Sequence, residues 1–477
     1  MSTTARDLPG SPRALLTGER RSSSGPPYLA TGLAVGVFLV YAAYALREHG
    51  RFGTTGYDLG IFDQAVRSYA EGRLPSSQIR TATAPPGFAG DSYPLLGDHF
   101  HPILALLAPL YVMAPHVETL LFAQAALVGG STYVITRAAQ RHLRHRWGAA
   151  PSLGLAYGFS WGLQQLVAYD FHEVAFAVPL LALAGRAYLD GRWVAAAWWA
   201  ATLPLVKEDM GATSTVLAFL ILRHHRRAGL LLGGTAAIGT ALIILVAIPA
   251  LAPNGQYGYL TQPYPYGSLD GWPMKFLTLA ALLAITAGVA LRSPLALLLL
   301  PTLAWRLFSP NPQYWGTELH YSAVLMPLAF IALIDALRKG ARLPVLVPLV
   351  IAALLFPAQP LRDMMTPGFW RDSHRQAAAR TALALVPSGA RAAASNRLAP
   401  HLSDRATVHL LSNGVLARHK NITWIVADIH DPFPVGGVAA AIRQAEEDGW
   451  RSVYDESGLV VLQRPTNLPD LEVHRAP

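Results

Sequence analysis

Cysteine is absent from the 477-residue chain, which excludes disulfide frameworks, zinc–thiolate sites and thiol nucleophiles. Charge is scarce too: 14% of residues are charged, against roughly 25% in an average soluble protein. That shortfall excludes an ordinary soluble enzyme. There is no phosphate-cradling glycine loop with its lysine, no His-Glu-x-x-His signature and no evident internal repeat. A formal charge of +9 would suit nucleic acid only if the basic residues clustered on a surface. They punctuate apolar runs instead, so no nucleic-acid partner is expected. What is abundant is hydrophobic sequence, 52% of residues, with 36 Pro and 40 Gly. The composition is that of a polytopic membrane protein whose first partner is the lipid bilayer, with room for one more domain.

The first long uncharged stretch, Pro27 to Leu46, supplies the ~20 apolar residues of a spanning helix. Before it, residues 1–27 form a Ser/Gly/Pro-rich leader carrying Arg6, Arg13, Arg20 and Arg21, expected to be disordered and cytoplasmic. The run is longer than the ~7–15 residues of a signal h-region, so an uncleaved first helix is expected. Ten further runs follow at Thr119–Thr136, Trp147–Tyr169, Val174–Gly185, Trp193–Val206, Met210–Leu222, Ala228–Leu251, Phe276–Leu291, Ser293–Trp305, His320–Ile334 and Leu343–Leu361. Eleven spans put the N-terminus in the cytoplasm and the C-terminus outside. Under that topology seventeen Lys and Arg fall in the inner connections and eight in the outer ones, as the positive-inside rule requires. Pro102–Ala114 is apolar but short, the length of a re-entrant or interfacial segment.

Nearly every unusual polar cluster then collects on the outer side: Tyr57–Gln64, Gly97–Pro102, Asp170–Glu173, Lys207–Asp209, and Asn311–Trp315 with Glu318, His320 and Tyr321. Val174–Gly185 has twelve residues, about 18 Å of a ~30 Å hydrocarbon core. Charges at its ends must therefore sit below the membrane surface. An unpaired charge there costs about 2.5–3.5 kcal/mol on insertion scales, so the clusters are expected to satisfy one another in a polar cavity. Its expected members are Asp98, His99, His101, His172, Glu173, Glu208, Asp209, His320 and Tyr321.

The longest connection, residues 47–116, holds an apolar stripe of Ile61, Phe62, Ala65 and Tyr69 at helical spacing. Asp58–Glu71 is expected as an amphipathic helix on the outer surface, with Asp58 as its cap or first-turn residue.

At these residues the sequence resembles the GT-C superfamily, integral-membrane glycosyltransferases that use polyprenyl-phosphate-linked sugars. The resembling residues are Tyr57–Gln64, Gly97-Asp98-His99-Phe100-His101-Pro102, Phe171-His172-Glu173 and Lys207-Glu208-Asp209, within a likeness covering most of Tyr28–Arg464. The closer match is a bacterial multi-pass membrane family, a domain of unknown function regarded as GT-C-like. The resemblance implies that Asp58 occupies the catalytic-base position of lipid-linked glycosyltransferases. Many of these carry adjacent acidic residues there, whereas Asp58 is followed by Leu59 and the next carboxylate is Asp63.

Inverting transfer from a lipid phosphate needs a carboxylate near the acceptor hydroxyl and positive charge on the departing phosphate. Asp58 is the candidate base and Asp63 its alternative. Lys207 and Arg306 are the candidate donor-phosphate ligands; each alone could equally be an interfacial anchor. His99, His101, His172 and Glu173 could hold a divalent metal ion or form a hydrogen-bonded network bracing the loop. The aromatic residues of 257–272 and Tyr314-Trp315 suit a membrane belt or sugar stacking.

Residues 362–477 turn soluble in composition, with 13 Lys+Arg and 12 Asp+Glu. Helix at 373–386, strand at 390–394, helix at 397–403, strands at 408–411 and 423–427, helix at 438–448 and strands at 452–454 and 459–463 suggest a small α/β domain. Asp428, His430 and Asp431 follow a strand, where such sheets bind ligands and where turn caps also occur.

The expected architecture is mainly α: a GT-C-like bundle of about eleven spans at 28–361 with a small external α/β domain at 362–477. The expected activity is transfer of a sugar from a polyprenyl-phosphate donor to a cell-envelope acceptor on the outer face. The alternative is a non-enzymatic binder or transporter of envelope lipids or glycolipids.

Overall fold

The computed structural model describes residues 27–261 and 264–465; the expected leader, apart from Pro27, lies outside the described residues. All eleven apolar runs are built from helix. Among the described residues four helices are long and apolar enough to cross a membrane: Tyr28–Gly50, Val117–His142, Arg226–Leu251 and His320–Arg338. The remaining runs are shorter or broken. Trp193–Leu205, Pro294–Phe308 and Val347–Ala358 each contain a tight 3-10 turn built around Pro204, Pro294 or Pro357, because proline lacks the N–H that continues a helix. The run at 147–169 divides at Ser160, whose extended backbone separates Ala149–Gly158 from Trp161–Ala168.

His320–Arg338 is the axial helix, with its apolar window 94% buried against 17% for Arg226–Leu251, which lies at the periphery. Small residues let the helices close up: a Cβ on Gly129 would stand 2.8 Å from the Ala34 carbonyl oxygen of the first helix.

At one end of the bundle the connections are long. Ser76–Ser77 (β1) pairs antiparallel with Tyr93–Pro94 (β2), and the apolar side chains of Leu106, Leu110, Val112 and Met113 are exposed on the short segment from Pro102 to Met113. Over this end sits a five-stranded sheet made of Arg391–Ala394 (β3), Thr407–Leu410 (β4), Trp424–Asp428 (β5), Arg451–Glu456 (β6) and Leu459–Gln463 (β7). The order is β4-β3-β5-β7-β6, parallel among β4, β3 and β5 and antiparallel beyond. Helices His374–Ala384 and Gly437–Glu447 complete the expected order, the first started by a capping box of Ser373 and Gln376. The β6–β7 hairpin turns on Ser457 and Gly458, both at positive φ, as a two-residue primed turn needs. The helix expected at 397–403 is only the single 3-10 turn Ala399–His401.

The segment expected to lie on the membrane surface is buried between the bundle and the sheet. Gly56–Gly60 forms one π-helical turn and Ile61–Ala70 an α-helix. Phe62 packs against Phe171 and His172 on the bundle side. On the other side Gln64 donates to the Val408 carbonyl at 3.0 Å and accepts from Ser77 and the Ile79 N–H at 2.6 and 3.2 Å. The preceding turn is tied to Asn396, which accepts from the Gly56 and Tyr57 N–H groups at 2.6 and 2.8 Å. The helix is covered on both faces because its second face carries Asp63, Gln64 and Ser68, polar groups that find protein partners in place of water.

Replacing Gln64 by Leu strips the Val408 carbonyl and the Ile79 N–H of their buried partner. Each unsatisfied group costs about 1–3 kcal/mol, so thermal unfolding of the detergent-solubilised Gln64→Leu protein should begin several degrees below that of wild type.

Candidate functional site

Between the loops and the bundle the expected polar clusters meet. The axial helix begins at His320, whose ring stacks on His172 with centroids 3.7 Å apart. His172 follows Asp170 and Phe171 in the connection after Trp161–Ala168, and its Nε2 lies 3.4 Å from Asp58 Oδ1. Tyr169 closes the group, 5.3 Å from the His172 ring and 5.4 Å from that of His320. Tyr321 packs against His320 at 4.1 Å.

Asp58 caps no helix N–H; its hydrogen bond is from the Thr55 hydroxyl at 3.2 Å. That hydroxyl and the Thr55 N–H each also stand 2.8 Å from Asp170 Oδ2. A hydroxyl has one proton to give, so the two carboxyl groups compete for it. Burial and then the nearby Asp58 charge push the Asp170 carboxyl up to about 8, although the Thr55 bonds work against this. Asp170 holds φ +57°, a left-handed conformation that Asp adopts more readily than most residues.

A second group lies beside the first. Glu173 is buried and meets Lys207 Nζ at 3.0 Å. Burial opposes ionisation of Glu173, yet Lys207 and the imidazoles of His172, His101 and His99 outweigh it and bring the carboxyl down to about 2. The same pairing raises Lys207 above the ordinary lysine range in spite of burial. Glu208, 1% exposed, accepts from the Phe100 N–H at 3.0 Å and the Tyr257 hydroxyl at 2.7 Å, and meets His99 Nδ1 at 2.6 Å. Those partners hold it ionised against the cost of burial. Asp209 has a buried oxygen without a partner among the described residues and is raised by burial to about 6. Asp98 is held by Arg80 through Nε at 2.8 Å and Nη2 at 3.2 Å.

The expected cavity residues therefore converge, but the expected alternatives separate. Asp63 is fully buried on the far side of its helix, held by Arg67 at 3.2 Å and the Tyr111 hydroxyl at 2.9 Å, whereas the Asp58 side chain is 20% exposed. Arg306 is 1% exposed and donates to the Tyr314 carbonyl, the Ser322 hydroxyl and the Gly316 carbonyl at 2.9, 2.9 and 2.7 Å. It braces the loop before the axial helix. Lys207, 14% exposed, is the better-placed cation. The donor atoms of His99, His101, His172 and Glu173 do not gather into a three-ligand group among the described residues; His99 and His172 turn to Glu208 and Asp58 instead. Of the aromatic residues of 257–272, Tyr257 donates to Glu208 and Tyr259 stacks on the His99 ring at 4.4 Å, while Tyr266 and Trp272 are exposed. In the sheet domain Asp428 pairs with Arg375 and accepts from the His430 N–H, while Asp431 accepts from the Arg397 and Phe433 N–H groups. Those two carboxylates act as turn caps. Thr55, Arg80 and Tyr169 were not singled out in the sequence, each a common residue in an unremarkable spacing, and Tyr257, expected in a membrane belt or for sugar stacking, is instead a hydrogen-bond donor to Glu208.

A family model described as a predicted membrane protein, DUF2079, matches residues 48–461. The chain belongs to this family. No curated protein matches the sequence. Among solved structures, the crystal structure of ArnT from Cupriavidus metallidurans bound to undecaprenyl phosphate is similar with a TM-score of 0.57 at 14% identity, over 91% of this chain and 98% of that one. A likeness at that identity concerns the fold: this DUF2079 member shares the fold of that ArnT structure over nearly its whole length.

The Asp170 carboxyl gives the site a pH signature. Between the unfolded value near 3.9 and about 8, the folded protein keeps a proton that the unfolded chain has released. Stability therefore falls as pH rises through this window. Asp170→Asn retains an acceptor for Thr55 and removes the titration, so the decline in thermal stability from pH 5 to pH 8 should flatten in that variant.

Proposed function

We propose that the protein is a membrane glycosyltransferase that moves a sugar from a polyprenyl-phosphate donor to a cell-envelope acceptor. The N-terminus lies in the cytoplasm, residues 28–361 form the membrane domain, and the loops and residues 362–477 face outward, as the distribution of Lys and Arg supports. The observation that carries the reading is the pairing of a partly exposed carboxylate, Asp58, with a neighbouring cluster that holds a charged lysine, Lys207, on a scaffold shared with ArnT bound to undecaprenyl phosphate.

In this reading Asp58 takes the proton of an acceptor hydroxyl as its oxygen bonds to the sugar's anomeric carbon. The bond from that carbon to the phosphate oxygen breaks, and the polyprenyl phosphate leaves with the electron pair. Lys207 offsets the charge on the departing phosphate by exchanging Glu173 for it. His172 and His320 position Asp58 against the bundle. Asp63 and Arg306 serve packing, since neither has surface to offer a substrate.

Asp58→Asn should keep affinity for undecaprenyl phosphate, read by native mass spectrometry, while transfer from a panel of polyprenyl-phosphate sugars falls by about 10²-fold or more, the usual reach of a general base. Lys207→Ala should weaken lipid-phosphate binding. Full transfer by Asp58→Asn would sink the catalytic assignment. No transfer by wild type, with lipid binding intact, would favour the envelope-lipid binder or transporter.

A further inference from the structure

Away from these clusters, three side chains meet where the loop between β1 and β2 touches the sheet. His409 lies on β4 beside β3, with its side chain wholly buried, and neither ring nitrogen has a hydrogen-bond partner among the described residues. His419 follows the helical turn Val415–Arg418; it is 5% exposed, and its Nε2 also lacks a partner. The two rings lie 4.0 Å apart. Asp91 arrives from the loop, 328 residues before His419. Its Oδ1 stands 3.2 Å from His419 Nδ1 and 3.4 Å from His409 Nε2.

A buried imidazole nitrogen without a partner is costly, and His409 Nε2, which has none, faces the same carboxylate oxygen that His419 Nδ1 meets in a hydrogen bond, an arrangement that a shared occupant would satisfy. One donor atom from each of the three residues lies within 4.8 Å of the others. In a tetrahedral zinc site with bonds of about 2.1 Å the ligand atoms are about 3.4 Å apart, close to both Asp91 contacts. Arg391 donates to the other oxygen, Oδ2, at 2.6 Å. It thereby orients the carboxylate and leaves Oδ1 facing the two imidazoles, the supporting role usual around metal-bound carboxylates.

We propose that Asp91, His409 and His419 bind a zinc ion that clasps the β1–β2 loop to the sheet domain. Two imidazoles and one carboxylate are a donor set suited to zinc, and the half-exposed Asp91 side leaves the fourth position to water. The same connection carries Arg80 and leads through Asp98 to His99, so the clasp steadies one wall of the candidate site without contributing a group to it. This inference stands apart from the proposed transfer reaction.

The test uses the full-length protein in nanodiscs, stripped with chelator, re-equilibrated with Zn²⁺ and analysed for metal per chain. Wild type should hold one zinc more than either Asp91→Asn or His419→Gln, and zinc should raise the unfolding temperature of wild type but not of these variants. Asp91 is half-exposed, so its variant folds regardless of the histidines. His101→Gln, in the other cluster, should retain the zinc. Equal zinc content in wild type and Asp91→Asn would overturn the proposal, as would a wild type that takes up none.

Discussion

The structure depends on one constraint: charge placed at the ends of short apolar helices must be paired inside the protein. Lys207, Glu208 and Asp209 stand between two helices too short to carry all three to water, and so do His172 and Glu173 before Ala177–Leu189. In a medium of low dielectric an isolated charge costs several kcal/mol, and the chain meets that cost with partners from distant segments. Glu173 takes Lys207; Glu208 takes His99, Tyr257 and the Phe100 N–H. These pairings draw the long connections down onto the bundle, and the folded connections in turn give the sheet domain a surface to rest on.

The sheet domain is accordingly joined to the membrane portion by many contacts of mixed kind. Asn396 receives the turn before Asp58, Val408 receives Gln64, and Asp372 receives Arg47 from the end of the first helix at 2.8 Å. His401 stacks on His49 at 4.0 Å. A Cβ on Gly56 would stand 2.6 Å from that of Ala399, so the close approach of domain and turn itself needs a glycine. The position of Asp58 is thus set from both sides, by His172 from the bundle and by Asn396 from the sheet.

Much of the fold was legible because its signals are local. Apolar runs located the bundle helices, and the alternation of helices and strands located the sheet. The helix expected at 397–403 shrank to one turn, since Pro400 and the demand of Asn396 for the Gly56 and Tyr57 amides fix the backbone there. The amphipathic segment was legible as a helix but not as a buried one. Its stripe of Ile61, Phe62 and Ala65 announces one apolar face, whereas the cover on the other face comes from a sheet more than 300 residues away.

Composition and the order of hydrophobic and charged residues determined, by themselves, that this is a helical membrane protein with a small α/β domain and that its unusual polar residues gather at one end. Hydropathy and periodicity are properties of neighbours in the chain, so a sequence states them openly. Which carboxylate keeps access to solvent, which cation is committed to backbone carbonyls and which histidines lack a partner were decided only in three dimensions. Asp58 and Asp63 are five residues apart and chemically alike, and only packing against Tyr111 and Arg67 on one side and His172 on the other separates them. Pairing energies depend on distance and dielectric between segments remote in sequence, and these exist only once the chain has folded.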